Sequence, residues 1–205
     1  MTYTTEQEAF WAGEFGTEYT DRNVGKNWIA ANTRLFAEIL SRTRDVNSVI
    51  EFGANLGLNL RALDILRPEA ELAAVEINAN AAQHLRDWGR AEVFEQSILD
   101  FEASRQYDLS LIKGVLIHIN PDELTKVYDR LHACSSRYVC TVEYYNPSPV
   151  TIPYRGHNDR LFKRDFAGEV LDRFPDLKLV DYGFLWHRDN NFPQDDVTWF
   201  LLEKR

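Results

Sequence analysis

The strongest indication of a ligand-binding site in this sequence is a pair of glycines between a predicted strand and a predicted helix. The run Val49–Gly57 (VIEFGANLG) places Gly53 at the end of the strand and Gly57 at the start of the helix. Glycine lets a ligand approach the backbone closely, and a helix N-terminus offers free N–H groups to polar ligand atoms. Asn55 stands where dinucleotide fingerprints carry their middle glycine, and asparagine tolerates a left-handed backbone. The spacing predicts a ligand-binding turn. The alternative is a turn that only connects the strand to the helix.

Two carboxylates accompany this turn. Glu76 lies 23 residues beyond the first glycine, where nucleotide-binding α/β folds place an acidic residue on ribose hydroxyls. Glu51 lies inside an apolar strand, and since a buried carboxylate needs a partner, it either hydrogen-bonds the turn or meets a cationic ligand. Gln96–Asp100 follows the third strand, at the edge where an adenine ring would lie. Within it Ser97 and Ile98 are the predicted contacts, with a plain loop as the alternative.

Three residues near the ends of the next two strands are candidates for proton transfer. His118 follows the fourth strand, at the edge where ligands bind in open α/β sheets, and the ordinary histidine pKa of about 6.5 suits a general base. Glu143 and Tyr145 end the fifth strand, on the opposite face from Tyr144. We expect His118, Glu143 and Tyr145 to be catalytic and Tyr144 to contact the substrate. A structural histidine and a core tyrosine are the alternatives.

A dense polar cluster follows in the last third of the chain, with four Arg or Lys side chains within twelve residues. Arginine binds carboxylates and phosphates with paired hydrogen bonds, so the cluster favours an anionic acceptor such as an acidic sugar or nucleotide sugar. A solvated loop with scattered charges is the alternative. The residues that we expect to bind the substrate here are Tyr154, Arg155, His157, Arg160, Lys163 and Arg164.

The elements that must position these residues alternate between strands and helices. Strands are predicted over Ser48–Phe52, Glu71–Ile77, Glu92–Phe94, Tyr107–Ile112 and Arg137–Tyr144, with helices over Leu56–Leu66, Asn78–Trp88 and Pro121–Cys134 between them. Repeated β-α-β units imply a mostly parallel sheet with helices on both faces. Further elements are two N-terminal helices (Thr5–Phe15 and Asn27–Ser41), an irregular insertion (Asn146–Arg160), a helix (Phe166–Phe174) and two late strands that pair antiparallel at one edge (Leu177–Trp186 and Val197–Glu203).

The composition excludes several classes of function. The chain has 205 residues, 44% of them hydrophobic, with 23 Lys and Arg against 32 Asp and Glu and a net charge of −9. This content supports one folded domain, and the acidic balance argues against a nucleic-acid partner. No apolar run is long enough to span a bilayer, and no secretory signal follows Met1. Cys134 and Cys140 lie at neither zinc-ligand nor CxxC spacing, so we expect a cytoplasmic protein without a metal site.

The combination of Glu51, Gly53, Gly57 and Glu76 resembles the first two motifs of class I S-adenosylmethionine-dependent methyltransferases. Longer strings resemble the methyltransferases associated with pseudaminic acid biosynthesis: FWAGEFGTEYTDRN (Phe10–Asn23), LIKGVLIHINPDEL (Leu111–Leu124), VEYYNPSPV (Val142–Val150), YRGHNDRLFKRDFAGE (Tyr154–Glu169) and DYGFLWHRD (Asp181–Asp189). The resemblance implies a Rossmann-like α/β fold in one domain, with an N-terminal helical cap over residues 1–45, a cofactor-binding half over 46–145 and an acceptor-binding part over 146–205.

The resemblance also implies S-adenosylmethionine as cofactor and S-adenosylhomocysteine as product. The residues expected to bind the cofactor are Tyr19, Glu51, Gly53, Asn55, Gly57, Glu76, Ser97, Ile98 and Lys113. The expected reaction is methyl transfer to N or O of a small polar metabolite, anionic or sugar-derived, by a monomer or homodimer. The alternatives are a tRNA methyltransferase, a cofactor-binding module without turnover, and an NAD-dependent oxidoreductase, against which Asn55 argues.

Overall fold

The computed structural model describes residues 3–23, 26–102, 104–154, 156 and 161–205. Its strands are β1 (Ser48–Phe52), β2 (Glu71–Glu76), β3 (Ala91–Glu95), β4 (Tyr107–Lys113), β5 (Ser135–Glu143), β6 (Val150–Thr151), β7 (Phe162–Lys163), β8 (Leu177–Leu185) and β9 (Val197–Lys204). Its helices are α1 (Glu6–Ala12), α2 (Glu14–Arg22), α3 (Lys26–Leu40), α4 (Leu58–Leu66), α5 (Ala79–Trp88), α6 (Leu124–Cys134) and α7 (Phe166–Arg173), with 3₁₀ turns at Leu116–His118 and Pro121–Glu123.

The central sheet has seven strands in the order β3-β2-β1-β4-β5-β9-β8. The first five strands of this order are parallel to their neighbours, and β9 is antiparallel to both β5 and β8. The predicted mostly parallel sheet with an antiparallel pair at one edge is therefore confirmed. The two-residue strands β6 and β7 pair with each other, so the insertion that was predicted to be irregular begins with part of a small hairpin.

Helices cover both faces of the sheet, as predicted. On one face, Leu35 of α3 and Leu63 of α4 belong to an apolar cluster with Leu111 of β4. On the other face, Val127 of α6 and Val170 of α7 belong to a cluster with the remaining inward side chains of the parallel strands. Each fully buried side chain of this kind contributes about 1.5–3 kcal/mol to folding, so the strand ends that carry the polar candidates are held by a continuous core.

The N-terminal region differs from the prediction of one helix over Thr5–Phe15. Thr5 caps α1 and forms a capping box with Glu8, but the helix ends at Gly13, whose backbone is extended at φ −88° and ψ −157°. A second helix, α2, begins at the next residue. Glycine is a poor helix former, and after the break α2 packs against α1 and α5.

None of the described helices combines the length and the apolar character needed to cross a membrane. Within the described part of the chain, no group of three or more His, Cys, Asp or Glu is arranged to hold a metal ion.

Candidate active site

A cavity of about 230 Å³ lies at the carboxyl ends of the parallel strands, beneath α1 and α2. Its lining comes from the turn after β1, the end of β2, the residues that follow β3 and β4, and the N-terminal helices. In open α/β sheets this edge is where ligands bind. The cavity brings together eight of the residues selected from sequence, namely Tyr19, Gly53, Asn55, Glu76, Ser97, Ile98, Lys113 and His118.

The turn after β1 (residues 53–57, the glycine turn) owes its shape to three left-handed residues. Gly53, Asn55 and Gly57 have φ angles of 71°, 48° and 70°. A Cβ on Gly53 would lie 2.6 Å from Val115 Cγ2, and one on Gly57 would lie 2.5 Å from Leu85 Cδ2. The absence of a side chain at Gly53 thus leaves room for the chain that follows β4, and its absence at Gly57 leaves room for α5. Gly57 lies outside the cavity lining.

Glu76 is a buried carboxylate on the cavity wall, 6% exposed. Its Oε2 accepts the backbone N–H of Asn55 at 2.7 Å, and its Oε1 accepts that of Asn78 at 2.8 Å. Burial raises the pKa of Glu76, and these hydrogen bonds oppose the rise. A carboxylate offers about four lone-pair sites, so Glu76 retains capacity to accept hydroxyl donors from a ligand.

Glu51 lies behind the cavity wall and is fully buried. Its Oε1 accepts a hydrogen bond of 2.5 Å from Asn59 Nδ2, and Asn59 itself lines the cavity. Glu51 Oε2 and Asn59 Oδ1 are both buried and have no hydrogen-bond donor among the described residues. Burial raises the pKa of Glu51 to about 8. Burial lowers the pKa of Lys113, although the negative charge of Glu51 opposes that decrease.

Glu143 lies outside this cavity lining and is 3% exposed. Its Oε1 accepts the backbone N–H groups of Val115 and Leu116 at 2.9 and 3.0 Å. Burial raises the pKa of Glu143 to about 7. The carboxylate therefore fixes the start of the 3₁₀ turn that ends in His118, and among the described contacts it acts on the cavity through the backbone.

The two tyrosines that follow β5 point to different surroundings, as strand alternation predicts. Tyr145 is 45% exposed, with its ring centroid 6.2 Å from that of Phe200. Tyr144 packs against the ammonium of Lys163, which lies 4.6 Å from its ring centroid. Neither tyrosine belongs to the described lining of the main cavity.

Solved structures with similar architecture show what kind of fold surrounds this cavity. A Burkholderia thailandensis 1,6-didemethyltoxoflavin-N1-methyltransferase aligns with a TM-score of 0.72 at 17% identity, over 100% of this chain and 91% of that one. A magnesium protoporphyrin IX methyltransferase from Synechocystis PCC 6803 aligns with a TM-score of 0.69 at 11% identity, over 97% and 98% of the two chains. A Clostridium acetobutylicum S-adenosylmethionine-dependent methyltransferase has a TM-score of 0.63 at 12% identity, with 93% and 97% covered.

The chain has the class I methyltransferase fold. No protein-family model matches the sequence, and no curated protein does so at a significant level. Sequence identities this low show a shared fold and do not show a shared substrate or reaction.

The N-terminal helices of this methyltransferase fold supply residues that sequence reasoning missed. Trp11 was not among the expected site residues, yet it lines the cavity beside Tyr19, which was expected to bind the cofactor. The ring of Trp11 lies 5.3 Å from that of Tyr19 and 4.6 Å from that of His118, between centroids. Asn59 and Asp195 were also missed. Asn59 had a signal, since it is a polar residue within the apolar run LGLNLRAL, whereas Asp195 lies in a polar loop like many others.

The predicted acceptor-binding residues divide between the two sides of residues 114–120. The ring of Tyr154 lies 5.2 Å from that of His118. Lys163 and Arg164 line a second cleft of about 110 Å³ with Pro121, and Arg164 Nε pairs with Glu169 Oε1 at 2.8 Å. Because Asn120 lines the main cavity, the two hollows adjoin along the chain. Arg155, His157 and Arg160 lie outside the described residues.

Proposed function

We propose that this chain is an S-adenosylmethionine-dependent methyltransferase that methylates N or O of a small polar metabolite and releases S-adenosylhomocysteine. The observation that carries the proposal is the carboxylate of Glu76, which lines the cavity beside the glycine turn with hydrogen-bonding capacity to spare. An acidic side chain at this strand end suits the two hydroxyls of a ribose. Ser97 and Ile98, on the same rim, would contact the adenine.

The buried acceptors behind the glycine turn favour a ligand with a positively charged amino group. Glu51 Oε2 and Asn59 Oδ1 are unfilled acceptors within the described residues, and an unsatisfied buried acceptor costs about 1–3 kcal/mol. An ammonium donates three hydrogen bonds and can satisfy both. Lys113, on the cavity wall, would face the carboxylate of the same amino acid. S-adenosylmethionine carries an amine, a carboxylate, a ribose and an adenine, and these residues fit all four.

The same lining suits a nicotinamide dinucleotide poorly. Such a cofactor brings a pyrophosphate, which needs donors and positive charge. Among the described lining residues, Lys113 is accompanied by the carboxylates of Glu8, Glu76 and Asp195. The glycine turn also carries Asn55 at the position of the middle fingerprint glycine.

When bound, S-adenosylmethionine supplies a methyl group that is already activated on a sulfonium. The chain then has to hold the acceptor in line, exclude water and remove a proton where the acceptor needs it. His118 lines the cavity and would accept that proton at a ring nitrogen. The rings of Trp11 and Tyr19 would exclude water from above. Tyr145 lies outside the described cavity lining, beside Phe200, and no step of the proposed reaction is assigned to it.

The acceptor is proposed to carry an anionic group and to be derived from a sugar. Lys163 and Arg164 line the cleft that adjoins the main cavity, and Arg155 and Arg160 add positive charge nearby in the sequence. An acceptor could then react beside His118 while its carboxylate or phosphate occupies the second cleft. Structural neighbours named for 1,6-didemethyltoxoflavin and plantazolicin act on compounds of other kinds. The anionic group is therefore proposed from Lys163 and Arg164, and the sugar from the resemblance of the sequence alone.

Two measurements test the proposal. Calorimetric titration with S-adenosylmethionine should give saturable binding, and the absence of heat at millimolar ligand would overturn it. A metabolite extract incubated with the protein and methyl-labelled cofactor should yield one product that carries the label, identified by mass spectrometry. Binding without any labelled product would point instead to a cofactor-binding module without turnover.

A further inference from the structure

Asn78 occupies the junction between β2 and α5, two residues after Glu76, and is 3% exposed. Its backbone N–H donates to Glu76 Oε1 at 2.8 Å. Its side-chain Oδ1 accepts the backbone N–H groups of Asn80 and Ala81, both at 3.1 Å, and thereby caps α5. One half of this side chain therefore has an ordinary capping role.

The other half of the side chain reaches the N-terminal helices. Asn78 Nδ2 donates toward the carbonyl oxygens of Trp11 at 3.1 Å, Ala12 at 3.5 Å and Gly13 at 3.4 Å, and toward Thr17 Oγ1 at 3.2 Å. These acceptors surround the corner where α1 ends and α2 begins. A Cβ on Gly16 would lie 1.8 Å from the carbonyl oxygen of Trp11 and 3.0 Å from Asn78 Nδ2, so the absence of a side chain at Gly16 lets α2 pack against both α1 and the amide.

The helices α1 and α2 (residues 6–22, the roof) contact the rim of the cavity at two further points. Ser97 Oγ donates to Glu8 Oε1, which attaches α1 to the segment after β3. The ring of Trp11 packs on that of His118, which attaches the same helix to the segment after β4. Gly16 and Tyr19 of α2 and Glu8 and Trp11 of α1 belong to the lining of the cavity, so the roof covers this side of it.

We propose that the side-chain amide of Asn78 is a positioning residue that latches the roof over the cavity and thereby sets the rate of cofactor exchange. This inference rests on the proposed function for the identity of the ligand. The same residue orients the Glu76 carboxylate through its backbone and the roof through its side chain. Asn78 therefore couples the position of the roof to the position of the Glu76 carboxylate, which would hold the ribose.

The substitution Asn78→Asp separates the latch from the helix cap. Aspartate caps helices as well as asparagine does, so α5 keeps its N-terminal hydrogen bonds. The carboxylate has no N–H to donate, and it faces the carbonyl oxygens of Trp11, Ala12 and Gly13, which can only accept. Asn80→Asp is the matched control, because it makes the same chemical change two residues further along α5 without touching the roof contacts of Asn78.

Hydrogen exchange without ligand reads the latch directly. In Asn78→Asp, the amides of α1 and α2 should exchange at least about tenfold faster than in the wild type, since the roof opens more often. The amides of α5 should exchange at the wild-type rate. Asn80→Asp should match the wild type in the roof. Equal roof exchange in the wild type and in Asn78→Asp would overturn the latch.

The second readout is the dissociation rate of S-adenosylmethionine, followed by tryptophan fluorescence after rapid dilution. Asn78→Asp should raise it by about 10- to 100-fold, the equivalent of losing one or two hydrogen bonds at about 1.4 kcal/mol per factor of ten. Asn78→Ser, which keeps a capping oxygen and also lacks the amide, should shift it in the same direction. An unchanged dissociation rate in both variants would overturn the inference. If the wild-type protein binds no S-adenosylmethionine, the proposed function is overturned, and the hydrogen-exchange result alone then tests the latch.

Discussion

Glu143 accepts a hydrogen bond from the backbone N–H of Val115, and Val115 in turn packs against Gly53. A carboxylate at the end of β5 thus fixes the chain after β4, and that chain fills the space left by the first glycine of the turn after β1. Three neighbouring strands are joined at the cavity by one buried side chain. Glu143, which the sequence suggested as a catalytic residue, therefore also holds these neighbouring segments in position.

This relationship predicts different results for two variants of Glu143. Glu143→Gln keeps an oxygen that accepts both N–H groups, so kcat should fall by less than about tenfold. Glu143→Ala leaves the N–H groups of Val115 and Leu116 without their acceptor, at about 1–3 kcal/mol each, so both Tm and kcat should fall. Steady-state kinetics and thermal melts of the two variants test this. If Glu143 were the proton acceptor, the Gln variant would lose activity as severely as the Ala variant.

Glu76→Gln should weaken cofactor binding by about 10- to 150-fold, because hydrogen bonds to a charged group contribute about 1.5–3 kcal/mol. The variant also turns an amide donor toward the N–H of Asn55 or Asn78. Glu95 ends the adjacent strand, in register with Glu76, and pairs with Arg86 outside the described lining. Glu95→Gln is therefore the matched control, and calorimetry should give it wild-type affinity. Equal affinities for all three proteins would remove Glu76 from the site.

Gly53→Ala should be more harmful than a comparable substitution elsewhere. Gly53 and Gly89 have nearly equal φ angles of 71° and 70°, so each alanine carries left-handed strain of about 1–2 kcal/mol. The new Cβ meets Val115 Cγ2 at 2.6 Å in the first case and its nearest contact at 3.9 Å in the second. Chemical denaturation should therefore show a larger loss for Gly53→Ala, and only that variant should lose cofactor affinity. Similar losses would mean that Val115 moves aside at little cost.

Sequence patterns predicted the strands, and hence the residues at their carboxyl ends, because apolar runs and the turn residues after them are local signals. Glu76 and His118 were found in this way, and both line the cavity. The contact that joins the roof to Asn78 was not predicted, since Gly13 and Asn78 are 65 residues apart and nothing in the sequence near either residue indicates it. The position of Glu143 at a strand end was predicted, but its hydrogen bonds to Val115 and Leu116 were not, because they depend on which N–H groups the fold brings to a buried carboxylate.

His118→Ala should distinguish an oxygen acceptor from a nitrogen acceptor. A positioned general base contributes about 10²- to 10⁴-fold, and a hydroxyl needs one far more than a neutral amine does. With a hydroxyl acceptor, kcat should fall within that range while cofactor affinity is kept. With an amine, the loss should be smaller than about tenfold. His132 lies away from the cavity and pairs with Asp176 at 2.8 Å, so His132→Ala is the control, and an equal loss in both variants would argue against a base at His118.

Glu51→Gln should stabilise the protein while it weakens cofactor binding. Burial raises the pKa of Glu51 from the ordinary 4.5 to about 8, so the unfolded chain releases this proton at a lower pH than the folded protein does. The contribution of Glu51 to the free energy of unfolding is therefore greatest below pH 4.5, falls as pH rises toward 8, and is constant above it. The glutamine has no proton to lose. The free energy of unfolding of Glu51→Gln should therefore rise relative to that of the wild type between pH 4.5 and about 8, by up to about 1.4 kcal/mol per pH unit.

Thermal melts of the two proteins from pH 5 to pH 9, without ligand, measure this difference. The gap in Tm should widen up to about pH 8 and then stay level, whereas a gap that does not depend on pH would show that Glu51 is not buried as a proton-binding group. The same substitution removes the negative charge beside Asn59 that suits an amino group. Calorimetry at pH 8 should therefore show weaker S-adenosylmethionine binding in the more stable protein, because the buried charge of Glu51 costs stability but would be stabilised by a cationic ligand group beside it.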